Sequence, residues 1–150
     1  MAHLKDIVIT KDKVYQGGCL CRGTVLLTDP SRQTLICHCR DCFQIAGRSW
    51  GSSTSVPDES FDLTTQQTLD WYDSSPCAKR GFYRNCGALL FYHRNSIPQK
   101  SVAIGMLDDA NGLVIVGQIF VNSHPHRGRL WSHDLPHLDD QLMDKNLKAS

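Results

Sequence analysis

With 150 residues, 41% of them hydrophobic and 21% charged, the chain has the makeup of an ordinary globular domain and not of a disordered or fibrous polypeptide. Sixteen basic against fifteen acidic side chains leave a formal charge of +1, which gives no electrostatic footing for nucleic acid or an anionic membrane as partner. No run approaches the roughly 18 apolar residues of a membrane span, and residues 1–10 lack the apolar core of a signal peptide, so the expectation is a cytoplasmic protein.

Taken in chain order, Val14 and Tyr15 lead into Gly17-Gly18, and Thr24–Thr28 is β-branched and apolar. Two strands are therefore predicted on either side of a tight turn that carries Cys19-Leu20-Cys21. Residues 34–37 read as a short strand, and Arg40–Ala46, stopped by Gly47, as one or two helical turns. From 49 to 73 polar residues alternate with apolar or aromatic ones, broken by Pro57, which predicts β structure with Phe61, Leu63, Leu69, Trp71 and Tyr72 in the core. Residues 88–92, 101–105 and 114–121 read as further strands. The segment after Asn122 is rich in His, Pro, Arg and Asp, so residues 123–150 are expected to form a loosely held C-terminal segment. The expectation is one mainly β domain over 1–150, with a small helical segment after the second cysteine cluster. Edge strands in such a domain make a homodimer an allowed assembly.

Seven cysteines are an odd number, and five of them lie between positions 19 and 42. Without a signal peptide this argues against a secreted disulfide framework and for metal binding. Cys37-His38-Cys39-Arg40-Asp41-Cys42 places three sulfurs across the predicted strand-to-helix junction. Three thiolates leave a tetrahedral zinc with an open fourth position, the arrangement of catalytic sites. Thiolates are soft, which favours zinc over magnesium, calcium or manganese, while iron–sulfur and copper(I) also suit the ligand type. The alternative is a closed site in which His38 supplies the fourth ligand and nothing reacts. His38 is also a candidate acid or base, unless strand alternation turns it away.

In Cys19-Leu20-Cys21 the middle residue points away and both sulfurs face one side. Arg84-Asn85-Cys86-Gly87 looks like half of a zinc knuckle, with Tyr83 where a Cys-x-x-Cys pair would carry its first sulfur. Cys19, Cys21 and Cys86 thus form a second candidate set, completed by Cys77, water or the Tyr83 phenol, or else reduced and packed without metal. One or two zinc ions per chain are expected. His124, His126, His133 and His137 are interrupted by Pro125 and Pro136, which favours a solvated tail over a further metal site.

These pieces occur in a recognisable order: Gly17-Gly18-Cys19-Leu20-Cys21-Arg22-Gly23, the Cys37–Cys42 run with Gly47, Lys79-Arg80-Gly81-Phe82-Tyr83-Arg84-Asn85-Cys86-Gly87 with Leu90, Gly105-Met106-Leu107-Asp108-Asp109, and Trp131 with Asp134-Leu135-Pro136. In them the chain resembles the glutathione-dependent formaldehyde-activating enzyme family, which includes centromere protein V. The resemblance implies a β-tent fold with a catalytic zinc on Cys37, Cys39 and Cys42 and a structural zinc on Cys19, Cys21 and Cys86. Tyr83 stands where the family has its fourth structural cysteine. The implied activity is that of a carbon–sulfur lyase or transferase that forms or cleaves a thiol adduct, with glutathione as thiol and formaldehyde or another metabolite as electrophile. Arg40, Arg48, Arg80 and Arg84 are candidates for the carboxylates of such a thiol. The rival of a different class is a non-catalytic structural zinc module that mediates a protein interaction.

Overall fold

The short apolar runs are realised as strands in the computed structural model, which describes residues 13–28, 30, 33–47, 51–64, 68–123, 134, 136 and 137. Among these there are ten strands: β1 (Val14–Gly18), β2 (Thr24–Thr28), β3 (Gln33–Cys37), β4 (Gly51–Pro57), β5 (Phe61–Leu63), β6 (Leu69–Ser75), β7 (Ala78–Tyr83), β8 (Leu89–Arg94), β9 (Gln99–Ala103) and β10 (Val114–Ile119). One α-helix, α1 (Arg40–Ala46), follows β3. The protein is mainly β, as the sequence predicts. Among the described residues no helix is long and apolar enough to cross a membrane.

The chain divides into two compact units. The described residues of the first run from 13 to 30 and from 54 to 114; those of the second run from 33 to 53 and from 115 onward.

In the first unit β1, β2 and β5 form an antiparallel sheet with β2 in the middle, Gly17 opposite Val25 and Leu27 opposite Phe61. The remaining strands run in the order β4-β9-β8-β7-β6, with β9 and β8, β8 and β7, and β7 and β6 paired antiparallel. Tyr15, Val25 and Leu27 join Val56, Tyr83, Leu90, Phe91, Val102 and Met106 in one buried core, each large apolar side chain contributing on the order of 1.5–3 kcal/mol. Phe61, Leu63, Leu69 and Trp71 pack against it as expected. Tyr72 does not: it is 58% exposed, because strand alternation puts it opposite Arg80, on the other face from Trp71. The second edge of β1 meets residues 107 and 108: Gly17 bridges Leu107, and Asp108 N–H donates to Gln16 O at 3.0 Å.

In the second unit the strand order is β10-β3-β4, with residues 51–53 as the share of β4. Thr34, Ile36, His38 and Gln118 are fully buried there. Gln118 N–H donates to Pro136 O at 3.0 Å, and Gln118 pairs with His137 in a parallel bridge. Most of the C-terminal segment, with His124, His126 and His133, lies outside the described residues, as does Arg48.

Candidate metal centres

The Cys37, Cys39 and Cys42 set lies wholly in the second unit, at the junction of β3 and α1. Cys39 is the N-cap of the helix: its backbone is extended (φ −64°, ψ 153°) and its Sγ accepts the N–H of Cys42 at 3.3 Å. That bond turns the chain sharply after Cys39 and carries Cys42 back toward the sulfurs before it. Gly47 ends the helix in the left-handed region at φ 61°, a conformation that glycine adopts without a Cβ clash. All three ligand atoms lie within 4.8 Å of one another. The thiols of Cys39 and Cys42 and then burial push the Cys37 thiol above its ordinary range, which disfavours its thiolate unless a cation is beside it. A thiophilic divalent cation is what such a donor set fits, since it supplies the charge the sulfurs lack.

His38, between two of these cysteines, turns the opposite way. Its ring is fully buried, Nε2 meets Gln118 Oε1 at 2.9 Å, and its backbone N–H donates to Ile119 O at 3.0 Å. It does not group with the three sulfurs. The sequence gives no signal for Gln118, an amide within an apolar strand.

The Cys19, Cys21 and Cys86 set lies wholly in the first unit, with its sulfurs likewise within 4.8 Å of one another. Between β1 and β2 the turn is closed by Arg22 N–H to Cys19 O (2.9 Å) and Cys19 N–H to Gly23 O (3.1 Å), with Arg22 at φ 67°. Gly23 N–H donates to Cys19 Sγ at 3.2 Å, and the Cys19 and Cys21 sulfurs stand 3.1 Å apart as free thiols. The Cys19 thiol and then burial push Cys21 up to about 11. Burial also acts to raise Cys86, but the N–H groups of Ala88 and Cys21 and the neighbouring thiols outweigh it and bring Cys86 down to about 7. Tyr83, after which the Cys86 turn begins, is fully buried, and burial followed by the charges of the three cysteines raises its phenol.

Cys77 does not join this set. It sits exposed in the turn between β6 and β7, beside Ser75, and β7 separates it from Tyr83 by six residues, about 20 Å of strand. Arg40 opens α1 next to Cys39 and is exposed. Arg80 is buried on β7 with its guanidinium 5.0 Å from the Tyr92 ring centre, and Arg84 pairs with Asp70 at 3.2 Å.

A family model described as glutathione-dependent formaldehyde-activating enzyme matches residues 14–123. Among solved structures, the crystal structure of a Rhodobacter sphaeroides protein from the Northeast Structural Genomics effort is similar, with 20% identity and a TM-score of 0.52, over 62% of this chain and 87% of that one. At that identity the likeness is one of fold. No curated protein matches the chain.

Proposed function

The chain belongs to the glutathione-dependent formaldehyde-activating enzyme family, and from that premise we propose that it is a zinc-dependent carbon–sulfur lyase or transferase acting at Cys37, Cys39 and Cys42. Its thiol substrate is glutathione or a related thiol, and its electrophile is formaldehyde or another small carbonyl compound. The observation that carries this reading is that six consecutive residues bring three sulfurs within 4.8 Å while His38, the nearest alternative ligand, faces Gln118. Three donors leave room for one incoming sulfur.

Cys37, Cys39 and Cys42 would hold the zinc, which would supply the charge that lowers the pKa of an incoming thiol and makes it a nucleophile at neutral pH. Overall, the thiol S–H adds across the C=O of the electrophile: a carbon–sulfur bond forms, the thiol gives up its proton and the carbonyl oxygen gains one. The reverse reaction breaks the same bond. Three cysteine thiolates carry one more negative charge than a divalent cation cancels, so an arriving thiol needs positive neighbours. Arg40, exposed beside Cys39, suits a substrate carboxylate through its planar fork. Seven cysteines, each outside a disulfide, fit the reducing cytoplasm, which supports that location.

Cys39→Ser separates the ligand role from the capping role, because serine is itself a preferred N-cap. The variant is expected to stay folded, lose one zinc per chain and lose adduct formation from glutathione and formaldehyde by more than the roughly 10–100-fold of an outer-shell change. Zinc analysis and an NMR assay of the adduct check this. Undiminished turnover in the variant would sink the proposal. An unfolded variant, together with a native protein that turns over no thiol adduct, would establish the non-catalytic module instead.

A further inference from the structure

Structural zinc sites are as a rule closed by four protein ligands, often supplied as Cys-x₂₋₄-Cys turns. The turn from Tyr83 to Gly87 has the spacing of half such a site, with Tyr83 N–H donating to Ala88 O at 3.0 Å and Gly87 N–H donating to Tyr83 O at 2.8 Å. Its first place, however, holds a tyrosine, whose oxygen lies a full ring beyond the position where a cysteine carries its sulfur. That ring is already engaged. It is fully buried in the core with Tyr15, Val25 and Phe91, and it lies against Gly23 of the Cys19–Gly23 turn. A Cβ on Gly23 would stand 2.2 Å from Tyr83 Cε1 and 2.4 Å from Cζ, so only glycine lets the ring approach. The amide of the same Gly23 holds Cys19 Sγ. Cys19, Cys21 and Cys86 all pack on the core cluster to which Tyr83 belongs. Aromatic packing therefore joins the hairpin turn to the Tyr83–Gly87 turn, the connection that an ion with four protein thiolates makes elsewhere.

We infer that Cys19, Cys21 and Cys86 form a three-thiolate site for an exchangeable thiophilic metal, with the Tyr83 ring, and not the ion, holding the two turns together. The inference is independent of the chemistry proposed at Cys37, Cys39 and Cys42, since its readouts are metal content and melting.

The test uses the full chain with zinc as probe, competition against a chromophoric chelator, and thermal melts followed by circular dichroism. The native protein is expected to show two classes of zinc, the weaker of which disappears in Cys86→Ser while that variant keeps its β spectrum and a cooperative melt. Tyr83→Phe keeps both classes. Tyr83→Cys tightens the weaker class by at least about tenfold, the lower end for even an outer-shell change. Tyr83→Ala melts below Cys86→Ser. Loss of the weaker class in Tyr83→Phe would make the phenol a ligand and overturn the inference. So would an unfolded Cys86→Ser, an unchanged affinity in Tyr83→Cys, or a native cluster that takes up no zinc.

Discussion

His38 is flanked by two cysteines and would pass, on sequence, for a fourth ligand or a proton carrier; its ring instead spends one nitrogen on Gln118 Oε1, 2.9 Å away, inside the second unit. Gln118→Ala removes that acceptor from a fully buried ring, and the loss of a buried partner costs about 1–3 kcal/mol. Denaturant melts should show a drop of this size. Asp109 gives a pH-dependent case. The Lys13 ammonium at 2.9 Å and then the Asn111 N–H hold its carboxyl below the usual range. A depressed folded pKa stabilises above the unfolded value, near about pH 4, and that contribution is lost as pH falls through the folded value. Asp109→Asn is expected to melt slightly below native at neutral pH, with the gap closing under acid and narrowing in salt, since the pair is partly exposed. The three-thiol set at Cys37 was legible in sequence because six adjacent residues contain it. Gln118 was not, because its role depends on which strand lies beside β3, and nothing local encodes that.

Among the elements, α1 matches its predicted span because its signals are local: a cap, a short run and a terminating glycine. β7 escaped the sequence reading. Ala78-Lys79-Arg80-Gly81-Phe82-Tyr83 shows no clean alternation, yet it pairs with β6 on one side and β8 on the other. Its cations are accommodated by rings, Lys79 Nζ lying 5.1 Å from the Trp71 ring centre and Arg80 stacking on Tyr92. β9 was predicted two residues late: pairing of Phe91 with Val102 and of His93 with Lys100 fixes its register, and the apolar Ile104–Met106 stretch becomes a 3₁₀ turn. That turn leads into the contact with β1. A Cβ on Gly17 would stand 2.2 Å from Met106 O and 2.7 Å from Leu107 Cα, both backbone atoms that cannot step aside. Gly17→Ala is expected to destabilise by roughly 1–3 kcal/mol, the cost of overpacking, read as a lowered melting temperature.

Across the whole molecule the mainly β class follows from short β-branched runs between turns, whereas the division into two units does not, since two strands, β4 and β10, give residues to both. Each thiol set belongs to one unit only, so the Cys39→Ser change should also raise hydrogen exchange in residues 33–47 and 115–119 while leaving β6 to β9 protected. The two Cys-x-Cys pairs share a spacing but not a backbone, one lying in the turn between β1 and β2 and the other at the end of β3, and their middle residues have opposite fates. Between Cys37 and Cys39 the middle residue is His38, sealed inside and bonded to β10; between Cys19 and Cys21 it is Leu20, 95% exposed. One sulfur pair is therefore mounted through its middle residue, and the other through its flanking glycine, whose amide holds Cys19 Sγ and whose bare Cα meets the Tyr83 ring. The same three-letter spelling thus stands on two different footings, one reaching across to a neighbouring strand and the other resting on an aromatic floor.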